Sequence, residues 1–361
     1  MTDFRPVIVH DRLTTPGGGE RVVYHMSKIL QADIITGEYD KPKTYDFSHT
    51  NVRELSGNDL SSFIMARNSI NWSEYDIAIF SGNRPQFTVY KPLPIPSIRY
   101  CHSPVRTFWS LRDRDFRQAS LKRKCARMLI SPVFRQVDRH LTKNHDKIFT
   151  NSHNIRSQVD RFYGFESDVL FPPVDLDKYT YRTSGDFWLS VNRIVPKKRV
   201  QEQVNAFRGT DEHLKIVGGV DDLYQDYAAN VIEDIDSLDN VSLEGFVSDE
   251  ELRSLYSDCK GILYIPYFED FGIVPVEAMA SGKPVVAAAE GGPLEIVHDQ
   301  FTGWTIQPTT KEIRNVIQRG FSPESFRERC MESSMKYSLE TFEEKLWERI
   351  SNFVESKPQA L

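Results

Sequence analysis

The sequence predicts an α/β protein with two doubly wound domains, each containing a parallel sheet covered by helices. Short apolar runs rich in Val, Ile, Phe and Tyr recur along the 361 residues, and helical patterns lie between them. Strands that are apolar on both faces and alternate with helices are typical of parallel sheets. The chain is too long for one ordinary core, since a domain usually has about 100 to 200 residues.

The first domain is assigned to residues 1–173, with the predicted strands RPVIVHD, DIAIF, PSIRYCH, KIFTNS and DVLFPPV. The pattern restarts after a Pro-Pro pair and a polar stretch, so the second domain is assigned to residues 174–338. Its predicted strands are FWLSVNR, LKIVGGV, VSLEGFV, GILYIPY and PVVAAA. Residues 339–361 form a predicted helix that we expect to pack back toward the first domain. Its apolar stripe consists of Phe342, Leu346, Ile350 and Phe353.

Composition excludes several classes of protein. Hydrophobic residues make up 40% and charged residues 27% of the chain, as in globular proteins. No apolar run approaches the roughly 18 to 20 residues needed to cross a bilayer, and the start MTDFRPVIVHD is unlike a signal peptide. The four cysteines lie far apart without a CxxC motif, which indicates free buried thiols. We therefore expect a cytoplasmic protein.

A glycine-rich segment follows the first predicted strand and opens a helix. Gly17, Gly18 and Gly19 allow close approach to a ligand, and amides at a helix start favour an anion. A flexible turn is the alternative, because the spacing matches neither GxGxxG nor the P-loop motif. His102 ends a later apolar strand, where it is either a group facing the cleft or a hydrogen-bonded structural histidine.

Charged residues stand at two predicted strand ends of the second domain. Arg193 ends one strand and Lys198 begins the next helix, so these two cations could clamp a pyrophosphate, or they are solvated surface charges. Glu269 and Glu277 bracket a Phe-Gly turn before a helix that we expect to start near Val274. Both carboxylates could accept hydroxyl hydrogen bonds, whereas an acid in a first helical turn can also serve as a cap.

Together these segments resemble glycosyltransferase family 4. The resemblance rests on EDFGIVPVEAMASGKPVV with its two glutamates, on the arginine five residues before a lysine in NRIVPKKRV, on EGGPLEIV and GFVSDEEL, and on the glycine-rich loop. It covers nearly the whole chain, with the motifs in the family's order and spacing. The resemblance implies retaining enzymes of the GT-B fold, in which two Rossmann-like domains face each other across a cleft.

The resemblance also implies a role for each residue. Arg193 and Lys198 would neutralise the departing diphosphate, helped by amides of the Gly17 to Gly19 loop. Glu269 would hold the donor sugar, Glu277 the ribose hydroxyls, and His102 would contact the transferred sugar near its reacting carbon. Backbone contacts to the donor are implied for Phe271, Gly272, Ile273 and Val274. A border for the nucleobase is implied for Gly218, Phe246 and Val247.

The substrate follows from the same resemblance. YCHSPVR and PKKR look like mannosyltransferases of surface-polysaccharide and lipid-linked glycan synthesis, which implies GDP-mannose as donor and a glycan or polyprenyl-linked acceptor. Arg199 departs from the family, where glycine often follows the lysine. The alternatives are a UDP-sugar-dependent transferase, a nucleotide-sugar epimerase or hydrolase, and an inactive nucleotide-sugar-binding protein. A dinucleotide dehydrogenase is disfavoured because GxGxxG is missing.

We expect no cofactor and no metal. In the family, retention is assigned to front-face attack in which the leaving phosphate takes the acceptor proton, so a carboxylate nucleophile is not required. Fixed cations and amides would then supply most of the catalysis. Asp-x-Asp pairs such as Asp175 and Asp177 do not follow apolar strands, as a metal-dependent transferase would require.

One stretch is basic on an acidic protein. The net charge is −6, yet residues 112–147 hold eleven Lys and Arg against four Asp. A basic segment mixed with apolar residues could lie on the anionic inner face of the cell membrane, with about 1 kcal/mol from each basic residue. A solvated basic face is the alternative, and nucleic acid is disfavoured because no nucleic-acid motif occurs. The residues assigned to membrane contact are Lys122, Arg123, Lys124 and Arg127.

Overall fold

The computed structural model describes residues 4–110, 121–183 and 185–356, and it describes residues 121–127 and Ser356 by their backbone alone. The chain divides into two compact units, Met1–Pro173 with Phe342–Leu361, and Val174–Thr341. In the described ranges, no helix combines the length and the apolar character needed to cross a membrane.

The first unit contains a seven-stranded parallel sheet. Its strands are β1 Pro6–His10, β2 Asp33–Thr36, β3 Val52–Glu54, β4 Ile77–Ser81, β5 Ser97–Cys101, β6 Lys147–Thr150 and β7 Asp168–Val169. They lie in the order β3-β2-β1-β4-β5-β6-β7. The helices of the unit are α1 Gly18–Leu30, α2 Leu60–Ser69, α3 Leu121–Lys143 and α4 His153–Tyr163.

The central strands of the first unit are buried along their whole length, because apolar side chains on both faces meet a helical layer. Helix α12, Leu339–Ser356, contributes to one of these layers. Its predicted apolar stripe lies in the same core as Ile8 of β1 and Val22, Val23 and Met26 of α1. The stripe residues Phe342, Leu346, Ile350 and Phe353 are all buried.

The second unit contains a six-stranded parallel sheet. Its strands are β8 Phe187–Val191, β9 His213–Val217, β10 Val241–Gly245, β11 Gly261–Tyr264, β12 Val285–Ala288 and β13 Gly303–Ile306, in the order β10-β9-β8-β11-β12-β13. Its helices are α5 Val200–Phe207, α6 Gln225–Asp236, α7 Asp249–Asp258, α8 Ile273–Ala280, α9 Pro293–Ile296, α10 Thr310–Ile317 and α11 Arg327–Ser334. The predicted α/β class and the two parallel sheets are confirmed.

Three strands were not predicted from the sequence. Strand β3 is short, lies at a sheet edge, and leaves two of its three residues exposed, so it lacks an apolar run. Strands β2 and β13 have only four residues each. Each of the predicted runs, in contrast, overlaps a strand of its sheet.

Some predictions fall on residues outside the described part of the chain. The backbone of α3 is described from Leu121, but the side chains assigned to membrane contact lie outside it, namely Lys122, Arg123, Lys124 and Arg127. The described cysteines Cys101, Cys259 and Cys330 are buried, as predicted.

Candidate functional site

The strand order creates a switch point in each unit. In the second unit the chain leaves β8 toward β9 on one side and β11 lies on the other side. The crevice outside the carboxyl ends of two such strands is where open α/β sheets bind ligands. Arg193 and Lys198 follow β8, and Glu269 lies in the loop after β11, residues 265–272, here named the β11 loop.

Lys198 and Glu269 meet directly at this switch point. The Lys198 Nζ lies 2.6 Å from Glu269 Oε2, and the two side chains are only 15% and 24% exposed. The same Nζ lies 5.3 Å from the centroid of the Tyr264 ring. Burial, and next the Glu269 carboxylate, raise the pKa of Tyr264 well above its ordinary value. The structure thus joins a cation and a carboxylate to which the family resemblance gives separate roles, at the diphosphate and at the sugar.

Arg193 has a partner that was not predicted. Its Nη1 lies 2.9 Å from Asp221 Oδ2, and 56% of the arginine side chain is exposed. Asp221 also accepts a hydrogen bond from the Leu223 amide at 3.2 Å, so its carboxylate is fixed by its own turn. The guanidinium is therefore oriented by one ion pair and remains open to solvent.

The ends of β8, β9 and β10 come together at Gly218. This glycine has φ +137, and a Cβ on it would lie 2.2 Å from the Asn192 carbonyl oxygen. Its amide donates to the Gly245 carbonyl at 2.8 Å. The Phe246 ring covers Gly219 and is 83% exposed, while Val247 is half-buried. The predicted nucleobase border therefore presents an open aromatic face.

Glu277 lies deeper than predicted. Helix α8 begins at Ile273 with Gly272 as its N-cap at φ +100, and its first turn contains no acid. The expectation of Glu277 in the first turn, with a possible capping role, is therefore wrong. The side chain is 4% exposed, and Glu277 Oε2 accepts a hydrogen bond from the Tyr256 hydroxyl at 3.0 Å.

The start of helix α8 lies just before Glu277 and presents backbone amides. The amides of Ile273 and Val274 open helix α8, where no intrahelical acceptor is available for them. Phe271 is buried, and its ring packs edge to face on Tyr337 at a centroid distance of 5.5 Å. This buried ring anchors the end of the β11 loop. The helix start therefore offers fixed amide donors to an anion.

The first unit has its own cluster at the ends of β1, β4 and β5. Gly17 is the N-cap of α1 without a side-chain cap, and Gly18 and Gly19 begin the helix. A Cβ on Gly19 would lie 3.7 Å from His102 Cε1 and 3.9 Å from His10 Cε1. The glycine turn therefore stands directly beside the two imidazoles.

A serine links these two histidines. The Ser81 Oγ lies 2.8 Å from His102 Nε2 and 3.1 Å from His10 Nδ1. Burial lowers the pKa of His10 to about 4. Burial, and next the His10 ring, lower the pKa of His102 to about 3. Both rings are neutral at pH 7, so His102 is suited to hydrogen bonding with a hydroxyl rather than to pairing with a phosphate.

Four site residues were not predicted from the sequence, namely His10, Ser81, Asp221 and Tyr256. His10 and Ser81 end strands at the switch point of the first unit, and Asp221 follows β9, so strand-end position would have marked all three as candidates. Tyr256 lies inside helix α7 and carries no such signal. Within the described ranges, no group of three or more His, Cys, Asp or Glu side chains is placed to hold a metal ion.

Comparisons with known proteins relate the chain to glycosyltransferases. Residues 175–336 match the family described as Glycosyl transferases group 1. Alpha-1,3/1,6-mannosyltransferase ALG2 of Dictyostelium discoideum is 27% identical over 288 residues, which cover 68% of this chain and 67% of that protein. ALG2 of Saccharomyces cerevisiae is 28% identical over 289 residues, covering 61% and 54%. The chain thus spans between 54 and 67% of the length of these relatives.

Solved structures agree on the fold. Sucrose-phosphate synthase from Thermosynechococcus elongatus superposes with a TM-score of 0.81 at 16% identity, covering 98% of this chain and 100% of that chain. Anabaena HepE in complex with UDP gives 0.78 at 17% identity, covering 97% and 100%. The chain therefore has the GT-B fold, and residues 175–336 of its second unit resemble the Glycosyl transferases group 1 family, in agreement with the family 4 resemblance of its motifs.

Proposed function

We propose that the protein transfers mannose from GDP-mannose to a glycan or lipid-linked acceptor with retention of anomeric configuration. The observation that carries the donor assignment is the Lys198–Glu269 pair at the switch point of the second unit, where Arg193 follows the same strand as Lys198. A nucleotide diphosphate sugar presents an anion next to hydroxyl groups, and this site sets cations next to a carboxylate. The ALG2 relatives, named as mannosyltransferases, support mannose as the sugar.

The proposed donor contacts follow from charge. Arg193 and Lys198 neutralise the diphosphate, together with the helix-start amides of Ile273 and Val274. Glu269 accepts hydrogen bonds from hexose hydroxyls, and Glu277 accepts them from the ribose. The amides of the Gly17 to Gly19 turn add donors for the phosphates. Such fixed charges and dipoles stabilise the leaving group as its charge develops.

The proposed reaction breaks the bond between the anomeric carbon and the diphosphate oxygen. The acceptor oxygen bonds to the same face of that carbon, and its proton passes to the departing phosphate. Neutral His102 donates or accepts a hydrogen bond at the sugar. Glu269 is paired with Lys198 and serves as a binding group, not as a nucleophile. No metal or other cofactor takes part in this proposal, because the two cations supply the positive charge.

We expect a thermal-shift panel to favour guanine nucleotides. The panel contains GDP, UDP, ADP, GDP-mannose, UDP-glucose and UDP-N-acetylglucosamine, each with and without EDTA. A ligand at 100 times its Kd stabilises the folded protein by about 2.7 kcal/mol, so GDP and GDP-mannose should raise the Tm in both conditions. A UDP-selective shift would replace mannose by another sugar, and a shift lost in EDTA would contradict the metal-free proposal.

The reaction class needs a separate measurement. A transferase consumes its donor only when an acceptor is present, whereas an epimerase or hydrolase consumes it alone. GDP-mannose should therefore persist with the enzyme and disappear when mannosylatable polyprenyl-linked glycans are added. Consumption without acceptor would favour the alternative reactions on this fold.

Helix α3 supports the proposed lipid-linked acceptor. Polar Asp138 and Thr142 face inward and are almost fully buried, while Leu129 and Val133 are 77% and 64% exposed. The carboxylate of Asp138 accepts hydrogen bonds from the Trp109 indole and the Tyr163 hydroxyl, both at 2.7 Å. The helix thus turns apolar side chains outward, an arrangement suited to the surface of a membrane. We propose peripheral contact of this helix with the anionic inner face of the cell membrane.

Charge reversal tests the membrane contact. Changing the four basic residues of the α3 start to glutamate, K122E, R123E, K124E and R127E, should abolish sedimentation with phosphatidylglycerol vesicles, since each basic residue adds about 1 kcal/mol. The matched control reverses four exposed cations of the same unit, Lys28, Lys41, Lys43 and Arg53, and should sediment normally. Equal sedimentation of both variants would contradict the proposal.

A further inference from the structure

Arg199 adopts a backbone conformation that favours glycine. It has φ 51 and ψ 39, follows the short helical turn Pro196–Lys198 and serves as the N-cap of α5. A side chain at this left-handed position strains the backbone, whereas glycine would not. The arginine side chain is nevertheless only 13% exposed, so it is held by contacts inside the unit.

These contacts reach the β11 loop. Arg199 Nη1 donates to the Ile265 carbonyl at 3.1 Å and pairs with Glu290 Oε1 at 2.5 Å. The guanidinium also lies over the Tyr267 ring, 5.1 Å from its centroid. The amide of Tyr267 in turn donates to the Lys197 carbonyl at 2.7 Å. The first half of the β11 loop is therefore fastened to the segment that carries Lys198.

Glu290 contacts the same loop directly. Its Oε1 accepts a hydrogen bond from the Phe268 amide at 3.3 Å, and its side chain is 17% exposed. Two residues later, the Gly292 amide donates to the Glu269 carbonyl at 2.7 Å. The backbone is thus held at Phe268 by the Arg199–Glu290 pair and at the Glu269 carbonyl by Gly292.

We infer that Arg199 and Glu290 are positioning residues that hold the Glu269 carboxylate against Lys198 for binding of the donor sugar. The inference rests on the proposed function, in which Glu269 binds the hexose. The pair contacts the β11 loop, which contains Glu269 but none of the proposed nucleotide-binding side chains Arg193, Lys198 and Glu277. It therefore governs affinity for the sugar portion of the donor more than affinity for the nucleotide.

The test compares GDP-mannose with GDP by calorimetry on Arg199→Gly. Glycine suits the left-handed backbone, so the variant removes the side chain without straining the fold. We expect GDP-mannose to bind about tenfold more weakly, because the displaced Glu269 loses a charge-assisted contact with the sugar. GDP has no sugar for Glu269 to bind, so it should bind at most about twofold more weakly. Arg199→Lys, which keeps the charge but not the planar fork, should be intermediate.

A double variant separates positioning from general damage. In Glu269→Gln, adding Arg199→Gly should weaken GDP-mannose at most about twofold further, since the group being positioned is already lost. Gln31→Gly, at an exposed residue with the same left-handed backbone in the other unit, controls for the glycine itself and should bind both ligands normally.

Two results would overturn the inference. One is equal weakening of GDP and GDP-mannose in Arg199→Gly, and the other is a full tenfold effect in the Glu269→Gln background. If the wild type prefers UDP and UDP-glucose, the same comparison is made with that pair. A wild type that binds none of these ligands would refute the proposed function itself, and the inference with it.

Discussion

Arg193→Ala is expected to lower donor turnover about 10²- to 10³-fold, by analogy with removal of one fixed donor from an oxyanion site. The guanidinium is positioned by Asp221 at 2.9 Å, so little reorganisation is needed when charge develops on the leaving diphosphate. The measurement is the rate of nucleotide release at saturating donor, with the acceptor that supports the wild-type reaction. Turnover within threefold of wild type would exclude Arg193 from leaving-group stabilisation.

Stability separates a catalytic effect from a structural one in this variant. The Arg193 side chain is 56% exposed, and an exposed ion pair contributes only about 0.2 to 1 kcal/mol. Urea unfolding should therefore change little. Arg208→Ala is the matched control, because Arg208 forms a similar exposed pair with Asp234 in the same unit, and it should keep full turnover.

The strands that could be predicted are those that contain a continuous run of apolar residues. Runs such as those of β1 and β4 are buried on both faces, so uninterrupted apolar residues mark them. Strand β3 lies at the edge of its sheet and has two exposed residues, so it has no apolar run by which it could be predicted. The apolar stripe of α12 could also be predicted, because Leu346 and the other stripe residues recur at helical spacing.

The site was only partly predictable for a related reason. Strand-end positions marked Arg193, Lys198 and Glu269, yet Lys198 and Glu269 are 71 residues apart and meet because β8 and β11 are neighbours. The sequence does not state which strands adjoin. It could therefore propose the charged groups but not the ion pairs, and the partners Asp221 and Glu290 emerged only from the structure.

Gly218→Ala is expected to destabilise the second unit by about 2 to 5 kcal/mol and to abolish donor binding. The position has φ +137, which side chains rarely adopt, at a cost of about 1 to 2 kcal/mol. The added Cβ would also lie 2.2 Å from the Asn192 carbonyl oxygen, so the backbone must move at a further cost of about 1 to 3 kcal/mol.

Gly245→Ala provides the control that divides these two costs. Gly245 lies in the same sheet with φ +70, but a Cβ there would meet nothing within 4 Å, so only the conformational cost of about 1 to 2 kcal/mol applies. Urea unfolding and GDP-mannose binding on both variants give the comparison. Because the Asn192 carbonyl adjoins the Arg193 amide, movement at Gly218 should displace the guanidinium and remove binding even where the unit stays folded. If the two variants are equally destabilised and both still bind GDP-mannose, the backbone near Gly218 can move at little cost and does not fix Arg193.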